Sequence, residues 1–344
     1  MQTTTIGAFP KPGYVPITDW FTNTDGDFTG AYLRERDEAG EDLESLLDRA
    51  TAEVVADQVE AGIDIPTDGE IRRENYIHYQ CRHFDGIDFE RLTPVQMRGT
   101  TDSLLPTVTG RIGFGSSPLA HDFEVAQAST ARPVKMTIPG PMTIIDSTAD
   151  EFYEDDPALA ADLAAAINRQ ITSLVDAGAT WIQVDEPVMA RKPDLALAWG
   201  IDTLARCFED VPPHVTRVTH ACCGYPNHLD QPDYVKAPIG SYLEIAEALD
   251  AAPIDAISIE DAHRHNDLTD LLPRFANSTV IFGAVAIATS QVESVEQIRR
   301  RLGEAAELAV GGVIAAPDCG LGYLGRELAI TKLRNLSEAA HSLR

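Results

Sequence analysis

The feature that most limits what this chain can become is a unit repeated along its length. A short β-branched apolar run is followed by a polar patch and then by an amphipathic helical stretch. Candidate strands lie at 3–9, 63–68, 134–138, 181–184, 215–220, 256–259, 280–285 and 312–315. The segment "EDLESLLDRATAEVVADQVEAG" spaces its apolar residues three and four apart and stops at Gly62, a residue type that ends helices. "DPALAADLAAAINRQITSLVDAG" repeats that design as far as Gly178, and "SVEQIRRRLGEAAELAVGG" does so again. Strands alternating with helices in this way predict an α/β fold, a (β/α)8 TIM barrel, with a doubly wound open sheet as the alternative.

One connection is too long for the pattern. Between about 71 and 133, after the second strand, "RGTTDSLLPTVTGRIGFG" reads as an inserted β-hairpin at 98–115. No low-complexity linker interrupts the rest, so residues 1–344 are expected to form one unit with one insertion. The hairpin is a candidate cover for the barrel mouth. Arg111 is either a contact for an anionic donor or, the reading favoured, a surface arginine.

Barrel chemistry collects at the C-terminal strand ends, because the loops there share one mouth. The unusual polar residues fall at those ends: Asp68, Gly69 and Glu70; Asp185 and Glu186; His220 and Cys222; Glu260; Asp318 and Cys319. All are expected to converge.

The stretch "VTHACCGYPN", 218–227, holds two of only five cysteines. Alone, His-x-Cys is as well explained by a histidine beside a buried thiol. Cys319 and Glu260, brought to the same mouth, add a second sulfur and an oxygen, and that donor set suits tetrahedral zinc. In an extended chain residues 220 and 222 point the same way and 223 the other. The expected ligands are therefore His220, Cys222, Glu260 and Cys319, with Cys223 packed behind them. Cys81 and Cys207 are read as buried bystanders. Two thiolates favour a site that accepts a substrate thiol and holds it as thiolate over one that activates water.

Composition narrows the setting. The net charge is −27, and only Lys11, Lys135, Lys192, Lys236 and Lys332 are lysines. Such a surface speaks against nucleic acid and is read as a solvated shell suited to a salt-rich cytoplasm. No apolar run reaches the length of a membrane span, and no signal segment is evident, so a cytoplasmic location is expected.

These motifs, in order, resemble the catalytic domain of cobalamin-independent methionine synthase, in its short single-barrel form. The resemblance rests on "TTTIGAFP", "DGE" at 68–70, "VKMTIPGPMTII" at 134–145, "IQVDEP" at 182–187, "HAC" at 220–222, "SIE" at 258–260 and "PDCG" at 317–320. It implies a zinc-dependent methyl transfer to the thiol of homocysteine, with the same four ligands. It further implies that Glu70 and Asp185 bind the substrate's ammonium and that the backbone of Ile6 to Ala8 meets its carboxylate. A barrel-mouth salt bridge with Arg72, Arg73 or another arginine is the alternative account of the two acids. No side chain is assigned as catalyst beyond the zinc-bound substrate thiolate.

The chain departs from the family's pattern in three places. Ala8 stands where serine is usual, Ser147 where a tryptophan stacks on folate, and Ala288 where a histidine protonates the departing folate. A tetrahydrofolate leaves poorly without a proton, whereas a cobalt(I) corrinoid needs none. The expected donor is therefore a methylated corrinoid or corrinoid protein, with methyltetrahydrofolate as the alternative. A zinc alkyltransferase acting on another thiol such as coenzyme M, a zinc hydrolase and a non-catalytic barrel are the rival functions. Coenzyme M has no amine for Glu70 and Asp185 to bind.

Overall fold

The computed structural model describes residues 1–20, 28–97, 101–231 and 233–343. Its nine strands are β1 (Phe84–Met97), β2 (Thr101–Phe114), β3 (Lys135–Pro139), β4 (Ala149–Asp150), β5 (Trp181–Asp185), β6 (Thr216–Ala221), β7 (Ala256–Ile259), β8 (Thr279–Val285) and β9 (Val313–Pro317). Six of them, β3-β5-β6-β7-β8-β9, form one sheet in which every pairing is parallel. Strand order follows chain order, as a βα barrel requires.

The two N-terminal staves complete the ring with very little regular pairing. Thr3 bridges Ala315 of β9, Thr4 bridges Ile65, and Thr67 bridges Lys135 of β3, all in parallel. The bonds are Thr4 N–H to Ala315 at 2.9 Å, Ile65 N–H to Thr3 at 3.0 Å and Lys135 N–H to Pro66 at 2.8 Å. The predicted strands at 3–9 and 63–68 are thus real staves, but they pair at isolated points. Their polar side chains take over: Thr5 and Thr67 bond to Gln58, and Asp64 bonds to Thr3.

Helices form where the spacing predicts them, over Leu43–Glu60, Asp156–Asp176 and Val295–Leu308. Gly62 and Gly178, just past the first two, have φ of 98° and 101°, the left-handed conformation that glycine adopts without a Cβ clash. Helix 295–308 opens with a capping box, Ser294 bonding the Gln297 amide and Gln297 reaching back.

Apolar packing has two layers. Ile6, Val218, Ala256, Ile281, Ile314 and Ala316 fill the barrel interior, with Trp181 against them. A larger core lies between strands and helices. The interior plug gives the mouth a solid floor.

The hairpin lies within the expected insertion but is longer than expected. β1 pairs antiparallel with β2, so the hairpin begins at Phe84, and the expected segment 98–115 covers only its second half; residues 98–100 lie outside the described ones. β1 escapes a periodicity reading because its register shifts between Asp85 and Ile87 and again between Asp88 and Leu92, which breaks the two-residue alternation. β2 continues onto β4, and Arg111 pairs with Asp162 of helix 156–176 at 3.0 Å. Arg111 is a surface arginine.

Candidate functional site

Strand register assembles the site. Asp185 is the cross-strand partner of His220, and His220 is the partner of Ser258. His220 Nδ1 lies 2.9 Å from the Ser258 hydroxyl, while its Nε2 is buried with no hydrogen-bond partner. Burial, and after it the charge of Lys135, pull the imidazole down to about 3. The ring is therefore neutral near pH 7, with one nitrogen held and the other left without a partner.

His220, Cys222 and Cys319 each offer one ligand atom, all within 4.8 Å of one another. Glu260 stands to one side. One of its oxygens accepts from the Cys222 thiol at 2.8 Å, and the other is paired with Lys236. The two-residue alternation holds: Cys222 faces the group, and Cys223 packs in the outer core with Tyr242 nearby. Tyr242 ties the floor together, donating to the Ala221 carbonyl at 2.6 Å and accepting from the Glu260 amide at 3.1 Å. Cys81 and Cys207 are buried in the core. Burial raises both thiols well above the usual range.

The acids form a second cluster. Asp68, Gly69 and Glu70 make a tight turn in which Gly69 and Glu70 have φ of 70° and 57°. A Cβ on Gly69 would fall 2.6 Å from Val54, so the position demands glycine. Gly7 matters for another reason: a Cβ there would lie 2.7 Å from Glu70 Oε1. Its absence lets the carboxylate reach the backbone of Ile6 to Ala8. Thr137 donates to Glu70 at 2.8 Å, and Arg73 lies 3.6 Å from it. The Gln183 amide holds Asp185 at 2.7 Å and the Ile6 carbonyl at 2.7 Å. Since the Ala8 carbonyl also accepts, from Leu321 at 2.7 Å, a carboxylate on this stave has to be met by amide N–H groups. Burial raises both carboxyls above the usual range; the nearby Glu70 charge raises Asp185 further, while Arg73 opposes the rise at Glu70. Two desolvated acids side by side favour a cationic ligand.

Two expected mouth residues do other work. Glu186 turns away and accepts from the Met142 and Thr143 amides at 3.0 Å and from the Thr143 hydroxyl at 2.8 Å, clamping helix Pro141–Ile145. Asp318 accepts from the amides of Asp261, Ala262 and His263 at 2.8–2.9 Å, fixing the loop after β7. Both lie one residue beside an inward-facing position, and strand alternation sends them out. Ser147 and Ala288 are buried; the Ser147 carbonyl lies 3.3 Å from His78 Nε2, and the Ala288 carbonyl accepts from Asp230. Sequence reasoning misses Gln183, Ser258, Lys236 and Thr137; the partners of the last three are distant in the chain, and Gln183 joins its near neighbour Asp185 to the remote Ile6 carbonyl. Lys135 stands out in the sequence only as one of few lysines; it is fully buried, its amine has no hydrogen-bond partner, and burial lowers it to about 7.

A parallel barrel carrying a His/Cys group able to hold a metal, beside a pair of buried carboxylates, defines a barrel enzyme with its chemistry at the strand ends. The family model described as "Cobalamin-independent synthase, Catalytic domain" matches residues 1–342. The chain belongs to that family. It is 31% identical over 339 residues to a methionine synthase of Sulfolobus acidocaldarius, covering 98% of this chain and 90% of the relative. A methionine synthase of Saccharolobus solfataricus is 28% identical over 348 residues, covering 100% and 95%. The fold superposes with a TM-score of 0.86 on a B12-independent methionine synthase from Shewanella sp. W3-18-1 in complex with selenomethionine, at 29% identity and 99% and 97% coverage. No helix among the described residues is long and apolar enough to cross a membrane.

Proposed function

We propose that this chain, read as one unit from 1 to 344, transfers a methyl group to the thiol of homocysteine to give methionine, with zinc held by His220, Cys222, Cys319 and Glu260. The observation that carries the metal reading is that His220, whose Nε2 is buried and unpartnered, brings a ring nitrogen within 4.8 Å of two cysteine sulfurs. A buried imidazole nitrogen without a partner is costly unless something binds it. Zinc bound there would lower the thiol's pKa and hold it as a thiolate. Glu260 would serve as the fourth ligand through the oxygen that accepts from the Cys222 thiol, whose proton would be released to solvent on metal binding, and Lys236 would keep the other oxygen aligned.

The rest is positioning. Glu70 and Asp185 bind the ammonium of homocysteine, and the amides of the Ile6 to Ala8 stave meet its carboxylate. Gln183 and Thr137 aim the two acids before the substrate arrives. The substrate thiol gives its proton to solvent and its sulfur bonds the methyl carbon as the methyl–nitrogen bond of the donor breaks; the donor nitrogen keeps the bonding pair and takes up a proton from solvent, so protons balance. Much of the rate comes from holding sulfur and methyl carbon in line. The Shewanella relative's complex with selenomethionine, the selenium analogue of the product, supports an amino-acid thioether site.

The corrinoid donor expected from Ser147 and Ala288 gains no support from a family described as cobalamin-independent. Methyltetrahydrofolate is the donor we carry forward. The reaction runs in the cytoplasm on this reading.

The test is methionine formation by zinc-loaded protein with homocysteine and either methyltetrahydrofolate or methylcobalamin, beside Asp185→Asn. Product from the folate is expected, and the variant should raise the homocysteine KM about 10- to 100-fold through loss of a charge-assisted bond. Product from methylcobalamin alone refutes the folate donor. No product from either refutes the acceptor.

A further inference from the structure

Residues 68–73 close a frame around Glu70. Glu70 has φ of 57°, a backbone conformation disfavoured for a residue with a Cβ and kept only where its surroundings hold it. Arg73 is the holder. Its amide donates to the Glu70 carbonyl at 3.0 Å and its guanidinium to Asp68 at 3.2 Å, while Asp68 accepts from the Glu70 amide at 3.2 Å. The same guanidinium donates to the carbonyl and the hydroxyl of Thr137 at 2.9 and 3.0 Å, and that hydroxyl lies 2.8 Å from Glu70 Oε1. The direction of the chain is forced. A guanidinium has no acceptor and a threonine hydroxyl has one proton, so the hydroxyl accepts from Arg73 and points its proton at Glu70. The neighbouring Arg72 is turned elsewhere, paired with Glu44, Asp48 and Asp122.

We propose that Arg73 is the positioning residue for the acceptor's ammonium: by fixing the Thr137 hydroxyl on Oε1, it leaves Glu70 Oε2 to the substrate. This rests on the reading of the chain as a homocysteine methyltransferase. The direct approach of Arg73 to Glu70 is also to Oε1, at 3.6 Å. Ion pair and ammonium site therefore use different oxygens of one carboxyl. Oε2 has no hydrogen-bond partner among the described residues, and Glu70 keeps 9% of its surface exposed. Asp185 is built alike. Gln183, the cross-strand partner of Thr137, holds its Oδ1 at 2.7 Å, and Oδ2 has no partner among the described residues. Neighbouring strands thus present one open oxygen each, and a primary ammonium, with three donors, can meet both. The arginine's charge also opposes the burial that raises the Glu70 carboxyl, which favours the ionised form a cation needs. An acceptor without an amine gains nothing from this frame. Arg73 accordingly sets the acceptor class, an α-amino thiol over a plain thiol acid.

The experiment measures, by calorimetry on zinc-loaded protein without donor, the Kd of homocysteine and of γ-mercaptobutyrate, which is homocysteine lacking its amine. The variants are Arg73→Lys, Thr137→Val, the two combined, and Thr137→Ser, which keeps the hydroxyl. Wild-type protein should prefer homocysteine by about tenfold or more. Arg73→Lys and Thr137→Val should each weaken homocysteine about tenfold and change γ-mercaptobutyrate by less than about twofold, and Thr137→Ser should bind as the wild type does. Because the arginine acts through the hydroxyl, the double variant should lie within about twofold of Thr137→Val. Thr137→Val leaves Arg73 its bonds to Asp68 and to the carbonyl of residue 137, so it carries the test where the arginine variant does not fold. Unchanged homocysteine binding in either single variant, equal losses for the two ligands, or additive losses in the double variant overturn the proposal and leave the methyltransferase reading standing. A wild-type protein that binds the two thiols equally overturns ammonium recognition by Glu70 and Asp185, and the proposal with it.

Discussion

Ser258 is a small side chain with a large task. Its hydroxyl sits 2.9 Å from His220 Nδ1 and so fixes which imidazole nitrogen is offered to the mouth. Groups that orient a metal-binding histidine typically govern affinity by about 10- to 100-fold. Ser258→Ala should weaken zinc binding by that factor with little change in melting temperature, read by competition with a chromophoric chelator. His78 gives a second residue-scale prediction, away from the metal group. It is buried, and burial first, with Arg82 adding to it, lowers its imidazole to about 4. A folded value below the usual 6.5 means that the unfolded chain binds the extra proton between pH 6.5 and 4. Stability is then fully present above that window and lost as pH falls through it, by about 3 kcal/mol. His78→Gln should remove that part of the slope in urea unfolding measured from about pH 7 to about pH 4. Which residues of the site are legible in the sequence depends on the range of their causes. His220, Cys222 and Cys223 are sorted by local alternation alone. Ser258 and Lys236 owe their roles to partners that only the closed ring brings near, so nothing in their own neighbourhoods marks them. Glu186 and Asp318 mislead for the opposite reason, since a carboxylate at a strand end reads the same whether it turns in or out.

At the scale of elements, the clamp on helix Pro141–Ile145 is the clearest case of a carboxyl group used for structure. Glu186 meets two backbone amides and a hydroxyl of that helix's first turn. Glu186→Ala leaves the two amides buried and unpaired, the hydroxyl keeping its bond to the Asp185 carbonyl, and should cost about 2–4 kcal/mol in denaturant unfolding. Long helices are legible because their apolar spacing and glycine stops are local signals. Strands β3 and β5 to β9 are legible because each is a short apolar run between polar patches. β1 is not, as its register shifts erase alternation. The first two staves read as strands yet differ in kind, because side chains of Thr5, Gln58 and Thr67 replace much of their backbone ladder.

For the whole molecule, the charge of −27 sets the response to salt. Like charges spread over one surface repel, and salt screens them, with a Debye length of about 10 Å at 0.1 M and about 3 Å at 1 M. The melting temperature should therefore rise as potassium chloride is increased from about 0.1 M to about 1 M, measured calorimetrically; an unchanged or falling value would show that paired charges outweigh the repulsion. The barrel's seam has a different consequence. Three single-residue bridges supply the ladder pairing of the staves that lead to Ile6 to Ala8 and to Glu70, and side-chain and loop bonds supply the rest. Those are also the staves assigned to the substrate's carboxylate and ammonium. A hoop fastened at so few points opens there first, and a ligand that spans the gap acts as a further rivet. Homocysteine should accordingly slow amide exchange at residues 3–9 and 63–70 more than elsewhere in the barrel, so that the acceptor helps finish the enclosure in which it reacts.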